Sequence, residues 1–220
     1  MVKNILISIN SLRKLGSLIA LLSVLAGCSA STSIQLDTNF PQVLAQPRPI
    51  SAAIVFEESF SNYSAAPNQY TSMAIGNAQV ELFKNAFTGL FDPVEFVSAE
   101  QEIQGQPSLI IRPEVREVQL STPSENYLNV FEVWVKYNLE IRTADGEVLT
   151  TWFMPTYGKT PESSMASKSA AIEKATITAI RDAGAKLHLD FYQIPALKNW
   201  LAQHPEQHKQ VMNKTPGGVN

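Results

Sequence analysis

Phe131-Glu132-Val133-Trp134-Val135-Lys136-Tyr137-Asn138-Leu139-Glu140-Ile141-Arg142 decides the fold, because its apolar residues recur at every second position for twelve residues. Phe131, Val133, Val135, Tyr137, Leu139 and Ile141 share one face, and Glu132, Lys136, Asn138, Glu140 and Arg142 share the other. That period of two is the geometry of a half-buried strand. Asp145-Gly146 follows, and this dipeptide supplies the positive φ angles of a two-residue type I′ turn, so 148–157 is expected to return antiparallel. The turn sets the register: Leu139 opposite Trp152, Tyr137 opposite Met154, Asn138 opposite Phe153 and Trp134 opposite Tyr157.

Working outward, Ile50, Ala52, Ile54 and Phe56 alternate as a first strand, followed by a Ser/Asn/Tyr/Pro loop through Asn68. Val80, Phe83, Phe87, Leu90 and Phe91 form one helical stripe, which predicts a helix over 70–91, ended before Pro93. Short strands are expected at 93–97 and at 109–115, where Pro113 lacks a ladder donor and favours an edge or a bulge. Downstream, Thr160 offers an N-cap hydroxyl and Pro161 suits a first helical position. They would open a long Ala-rich helix facing the sheet through Met165, Ile172, Ala175, Ala179, Ala183 and Leu187. A shorter helix from Pro195 to about Met212 and a loose tail end the chain. The order β-α-β-β-β-β-α-α predicts an α+β two-layer sandwich, a mainly antiparallel sheet of four to five strands with two long helices on one face.

The sheet's second face is not simply polar. Trp134, Leu149, Phe153 and Tyr157 share it with Lys136, Glu140 and Arg142, and aromatic side chains ringed by charges fit a binding surface. The competing expectation is that the last helix folds over this patch through Leu197, Trp200 and Leu201.

At the N-terminus, Lys3, Arg13 and Lys14 precede an apolar run over 15–25 and the small residues Ala26-Gly27. A bilayer span takes about 20 apolar residues, so this run is too short for a comfortable transmembrane helix and reads as an export signal. Leu25-Ala26-Gly27-Cys28 resembles the lipobox of bacterial lipoproteins. The resemblance implies a signal peptide of 1–27, a diacylglycerol on Cys28, N-acylation with a palmitate-class chain and, with Ser29 next, passage to the outer membrane facing the periplasm. The segment 28–49, with Pro41, Pro47 and Pro49, reads as an extended tether to a domain over 50–192, and 193–220 as a C-terminal helix and tail. Cys28 is the chain's only cysteine, so no disulfide forms within it and stability rests on a packed core. Cleavage removes three of the 17 basic residues and no acid, which takes the formal charge from −3 to −6. That balance, without any basic run, argues against nucleic acid and leaves acyl chains as the membrane attachment.

Four stretches carry a second resemblance: 79–91, 111–115, Val133-Trp134-Val135-Lys136-Tyr137 and 145–149. In this order, behind a lipobox, they resemble small envelope lipoproteins of the lipopolysaccharide-assembly and peptidoglycan-synthase-activator type. The resemblance implies a non-enzymatic accessory, assembly or transport subunit with an envelope protein as partner. The alternatives are a carrier holding lipid or glycan between sheet and helices, and a cell-wall hydrolase.

Catalytic patterns are weak. Gly158-Lys159-Thr160 has the end of a phosphate-binding loop, but the earlier glycine would fall at Phe153, so no nucleotide is expected. His204 and His208 are four apart without the His-Glu-x-x-His pattern, and no metal or other cofactor is expected. His188 has Asp190 nearby but no nucleophile elbow. Glu57-Glu58 and Glu100/Glu102 are the carboxylate pairs a hydrolase would need, and their separation in space decides that reading.

Overall fold

The computed structural model describes residues 32–36, 40 and 44–205; the signal segment, Cys28, His208, Met212 and the C-terminal tail lie outside the described residues. In chain order the elements are β1 (Thr32–Gln35), β2 (Ala52–Val55), α1 (Glu58–Ser61), β3 (Ser64–Asn68), β4 (Thr71–Ala74), α2 (Gly76–Thr88) and β5 (Val94–Val97). They continue with β6 (Leu109–Ser121), α3 (Pro123–Asn126), β7 (Val130–Thr143), β8 (Val148–Pro161), α4 (Lys168–Asp190) and α5 (Pro195–Gln203). Strands order as β5-β2-β6-β7-β8 in one sheet and β1-β4-β3 in another. The α+β class holds, with helices layered on one face of the larger sheet.

β7 and β8 form the expected long hairpin, with Leu139–Trp152, Tyr137–Met154, Asn138–Phe153 and Trp134–Tyr157 all opposite one another. β6 pairs antiparallel with β7, but β2 pairs parallel with both β5 and β6. Two of the larger sheet's four pairings are therefore parallel, because the chain crosses from β2 to β5 through α2. Pro113 lies just past the last β2 pairing, Ile54–Ile111, where the absent N–H leaves no neighbouring strand unsatisfied.

Several boundaries differ from expectation. The loop to Asn68 contains α1 and β3, and the helix expected from Tyr70 begins at Gly76 because Thr71–Ala74 pairs with β3 as β4. Within α2, Gln79, Leu82, Phe83, Ala86 and Phe87 form a buried i, i+3, i+4, i+7, i+8 stripe with a polar residue at its start, Gly76 and Ala78 are buried at the helix's N-terminal end, and Val80 is half-buried. Thr160 and Pro161 are not a helix start. Their alternation continues β8 opposite Phe131 and Val130, and α4 opens instead at Ser167, whose hydroxyl accepts the Ala170 N–H at 3.1 Å. The segment expected as tether contains β1, paired in parallel with β4 through Thr32–Thr71 and Ile34–Met73, and Phe40 is buried. The last helix ends at Gln203, and its Leu197, Trp200 and Leu201 belong to the main core.

That core is aromatic. Phe60 and Phe83 meet edge to face at 5.3 Å between centroids, Phe83 lies 5.2 Å from Tyr137, and Phe91 and Phe191 meet at 5.4 Å. These rings occupy the space between helices and sheet that a carried lipid would need. α4 presents Ala171, Ala175, Ala179 and Ala183, all fully buried, and so lies close on β8. It also closes β8's free edge: the Tyr157 N–H donates to Asp182 Oδ2 at 3.0 Å, Lys186 donates to the Pro155 carbonyl, and Asp182 and Lys186 are 3.3 Å apart. Pro155 brings no N–H of its own, so this stretch of edge offers little to an incoming strand.

Candidate functional site

The outer face of β6, β7 and β8 is built by the same alternation that fills the core. Each buried residue of β7 is flanked by half-buried Val130, Glu132, Trp134, Lys136, Asn138, Glu140 and Arg142. Trp134 and Tyr157 stand opposite on neighbouring strands with ring centroids 5.1 Å apart. The Tyr157 hydroxyl donates to Glu132 Oε1 at 2.6 Å, and burial together with that carboxylate pushes the phenol up to about 12. Tyr157 is therefore a neutral donor at any physiological pH, held in one orientation beside the indole.

Phe153 is 47% exposed on the same face. Arg116 lies over it, its guanidinium carbon 5.9 Å from the ring centroid. A bulge between Val115 and Glu117 puts Arg116 and Glu117 on the outer face in succession, and Glu117 accepts from Lys136 at 2.6 Å. Arg116, Glu117, Lys136 and Phe153 line a shallow cavity of about 310 Å³. Arg116 is the site residue that alternation alone misses. Its signal is a change of parity, from Leu109, Ile111 and Val115 to Val118 and Leu120, which marks the inserted residue.

Leu149 does not join this face. Register shifts between Ile141 and Arg142, and Leu149 turns to pack against the core. The last helix does not cover the face either: the sheet-facing residues of α2, α4 and α5 all enter the core on the other side. Trp200 of α5 lines a cleft with Thr143, Asp145 and Glu147, nine positions of β7 away from Trp134, roughly 30 Å at 3.3 Å per residue.

Further along the outer face the charges are paired with one another. Arg112 reaches Glu57 at 3.2 Å and Glu140 at 2.6 Å, and Arg142 pairs with Glu100 and, at 3.4 Å, with Glu140. Glu58 accepts from Asn62, and Glu102 accepts the Ser98 N–H. The four acids considered for hydrolysis thus hold ion pairs and turns rather than converging as a pair. His204 stacks on Trp200 at 4.9 Å with Nδ1 2.9 Å from the Trp200 carbonyl, beside an open polar cleft of about 850 Å³ that Ser51 and Gln106 also line. Gly158-Lys159-Thr160 lies within β8. Among the described residues no group of three His, Cys, Asp or Glu side chains is placed to hold a metal ion, and no helix is long and apolar enough to cross a membrane.

His188, in the last turn of α4, is partly buried against Gly89, and its Nε2 has no hydrogen-bond partner among the described residues. Burial lowers its pKa below the ordinary 6.5. The folded state thus resists a proton that the unfolded chain accepts, so stability is full above about pH 6.5 and declines as pH falls through and below it. Urea midpoints are expected to fall between pH 7.5 and pH 5.5 in the parent and to fall less in His188→Gln. Equal slopes would assign that loss to other groups. Glu117 and Glu125, whose pKa values are lowered by hydrogen bonds, act only below about 4.5.

No sequence family matches the chain. No curated protein matches it either. Among solved structures, a Helicobacter pylori protein provisionally described as a homologue of a neuraminyllactose-binding hemagglutinin is similar at 14% identity and TM-score 0.48, over 79% of this chain and 100% of that one. A Caulobacter crescentus CB15 protein provisionally described as a lipoprotein is similar at 16% identity and TM-score 0.38, over 70% and 91%. A hypothetical protein of Chlamydia trachomatis is similar at 9% identity and TM-score 0.39, over 65% and 96%.

Proposed function

We propose that this chain is an outer-membrane lipoprotein, held on the periplasmic side by acyl chains on Cys28, that works by binding an envelope protein as an accessory or assembly subunit. The observation that supports it best is the outer sheet face, where Trp134, Tyr157 and Phe153 stand among Arg116, Lys136 and Glu132 with the helices on the opposite side. Aromatic and arginine side chains anchor protein interfaces because they bury large area with little entropy loss, and the paired charges around them exclude wrong partners. The closed β8 edge favours docking on this face over addition of a strand at 155–157. Anchoring turns even a weak contact into a stable one by confining the domain near its partner.

The test is in vivo crosslinking from a photoreactive residue at position 153, with Trp134→Ala and Tyr157→Ala combined as the variant. The crosslink is expected to drop at least tenfold, about 1.4 kcal/mol or more, while the melting transition stays cooperative. Undiminished crosslinking by a folded double variant would overturn the assignment of this face. A glycan-carrier reading is favoured by one observation, the polar cleft beside the Trp200–His204 stack, and a co-purified sugar in native mass spectra would select it.

A further inference from the structure

The connection between β6 and β7 exposes large apolar groups on an ordered scaffold. Tyr127 is 88% exposed and Leu128 is 66% exposed. Thr122 donates its N–H and its hydroxyl to Glu125 Oε2 at 2.7 and 2.9 Å, closing the turn of α3. Asn126 donates to the Val130 carbonyl at 2.9 Å and to Glu132 Oε2 at 3.1 Å, and its own oxygen accepts the Leu128 N–H at 2.9 Å. These bonds hold Tyr127 at φ 56°, a left-handed conformation that a bulky aromatic residue adopts only when its surroundings impose it. The turn is thus rigid, strained and pointed outward with a phenol and an isobutyl group.

A second exposed aromatic sits at the same end. β2 runs parallel to β6 with Ile54 opposite Ile111, and Tyr63 then lies within electrostatic reach of Glu117, so the chain advances along β6 toward Ser121 as it enters β3. The β3–β4 turn, with Tyr70 53% exposed, therefore lies on the Ser121 side of the β2–β6 pairing, away from the Asp145-Gly146 turn. β1 starts here too, since the Thr32 N–H donates to the Tyr70 carbonyl at 2.8 Å. Only Ser29, Ala30 and Ser31 separate Thr32 from Cys28, and that length of extended chain spans at most about 14 Å.

We infer that Tyr127 and Leu128, with Tyr70 toward the same end, insert into the headgroup and acyl boundary of the bilayer that carries the Cys28 lipid. The inference rests on acylation of Cys28 as proposed above. Tyrosine suits this boundary because its ring is apolar and its hydroxyl remains hydrated, and leucine adds area just below it. The acidic mature chain gains little from charged lipid, so the contact is apolar in kind. Insertion at this end would fix which way the domain faces, leaving the β7–β8 turn at Asp145-Gly146 directed away from the membrane.

The full-length acylated protein, reconstituted in phosphatidylethanolamine and phosphatidylglycerol vesicles containing 5-doxyl phosphatidylcholine, tests this. Acylation consumes the thiol of Cys28, so Tyr127→Cys provides a single site for an NBD label, with Asp145→Cys as the control and Leu128→Cys as a second reporter in case position 127 tolerates no change. Doxyl quenching at 127 or 128 is expected to exceed that at 145 at least twofold. Equal quenching at the two ends, on protein whose N-terminal peptide mass shows the lipid, would overturn insertion alone. An unmodified Cys28 in that mass would overturn the anchoring as well. A label at 127 that escapes doxyl lipid but is shielded from iodide in native envelope membranes would also overturn insertion, assigning the tip to a protein partner.

Discussion

Gly158→Ala is expected to destabilise the protein by about 3 kcal/mol or more, at the upper end of what overpacking costs. A Cβ at this position would lie 2.1 Å from the Ala175 carbonyl oxygen, 2.4 Å from the Ala179 nitrogen and 2.9 Å from Thr178 Cβ. Two of those three atoms belong to the backbone of α4, so no rotamer change relieves the clash. The helix must lift from β8 or the strand must bend, and either response separates the Ala175 and Ala179 contacts that bring the two layers together. For a chain of this size the loss corresponds to a fall in melting temperature of roughly 6–12 °C. Gly184→Ala is the control. There the nearest atoms are the side-chain carbons of Leu82 at 3.4–3.5 Å, which can give way, and alanine gains about 1 kcal/mol of helix propensity over glycine. Its melting temperature is expected to stay level or rise. If thermal unfolding shows Gly158→Ala no worse than Gly184→Ala, the tight seat of α4 on β8 is refuted.

The same contact separates what sequence reveals from what it hides. Alternation over 131–142 and the Asp145-Gly146 signal give the β7–β8 hairpin and its register from Ile141 outward, because period is a local property. The turn itself is not type I′, since Gly146 has a positive φ and Asp145 does not, and the register shifts by one between Ile141 and Arg142. Gly158, by contrast, reads as a loop glycine beside Lys159 and Thr160 until α4 is seen lying on it. The parallel pairings of β2 are hidden for the same reason: a strand's partner and direction follow from the path of α2, not from its own four residues. β1 and β4 are invisible because Thr32–Gln35 and Thr71–Ala74 are too short to establish a period, and pairing with each other and with β3 makes them strands. At the candidate site, Trp134, Phe153 and Tyr157 follow from register. Leu149 is misplaced by a bulge between Ile141 and Arg142, and Arg116 is overlooked because of one between Val115 and Glu117. Bulges change which face a side chain occupies without changing composition, so they escape any count of apolar residues.

Gln79→Ala is expected to cost about 3–5 kcal/mol, because one buried amide ties together three elements. Its Nε2 donates to the Phe60 carbonyl at 2.7 Å, and its Oε1 accepts the Tyr137 hydroxyl at 3.2 Å; Gln79 and Tyr137 are both fully buried. Burial holds the Tyr137 phenol far above its usual pKa, so it remains a donor at every accessible pH. Truncation strands a hydroxyl and a carbonyl, each worth about 1–3 kcal/mol when unpaired, and adds a cavity among Phe60, Phe83 and Tyr137. Tyr137→Phe removes only the donor and leaves Gln79 bonded to Phe60, so about 1–2 kcal/mol is expected. Combining Tyr137→Phe with Gln79→Met replaces two polar partners by apolar ones of similar size, and the pair should cost less than the sum of the single changes by about 1 kcal/mol. Urea unfolding of the parent, Gln79→Met, Tyr137→Phe and the combined variant checks the cycle, and strict additivity would show that the hydrogen bond contributes nothing. The outcome bears on function because Tyr137 lies on the core side of β7 three residues from Trp134. If the network also holds β7 in register, crosslinking from position 153 should weaken in Gln79→Ala under conditions where the domain is still folded, and recover in the combined apolar variant.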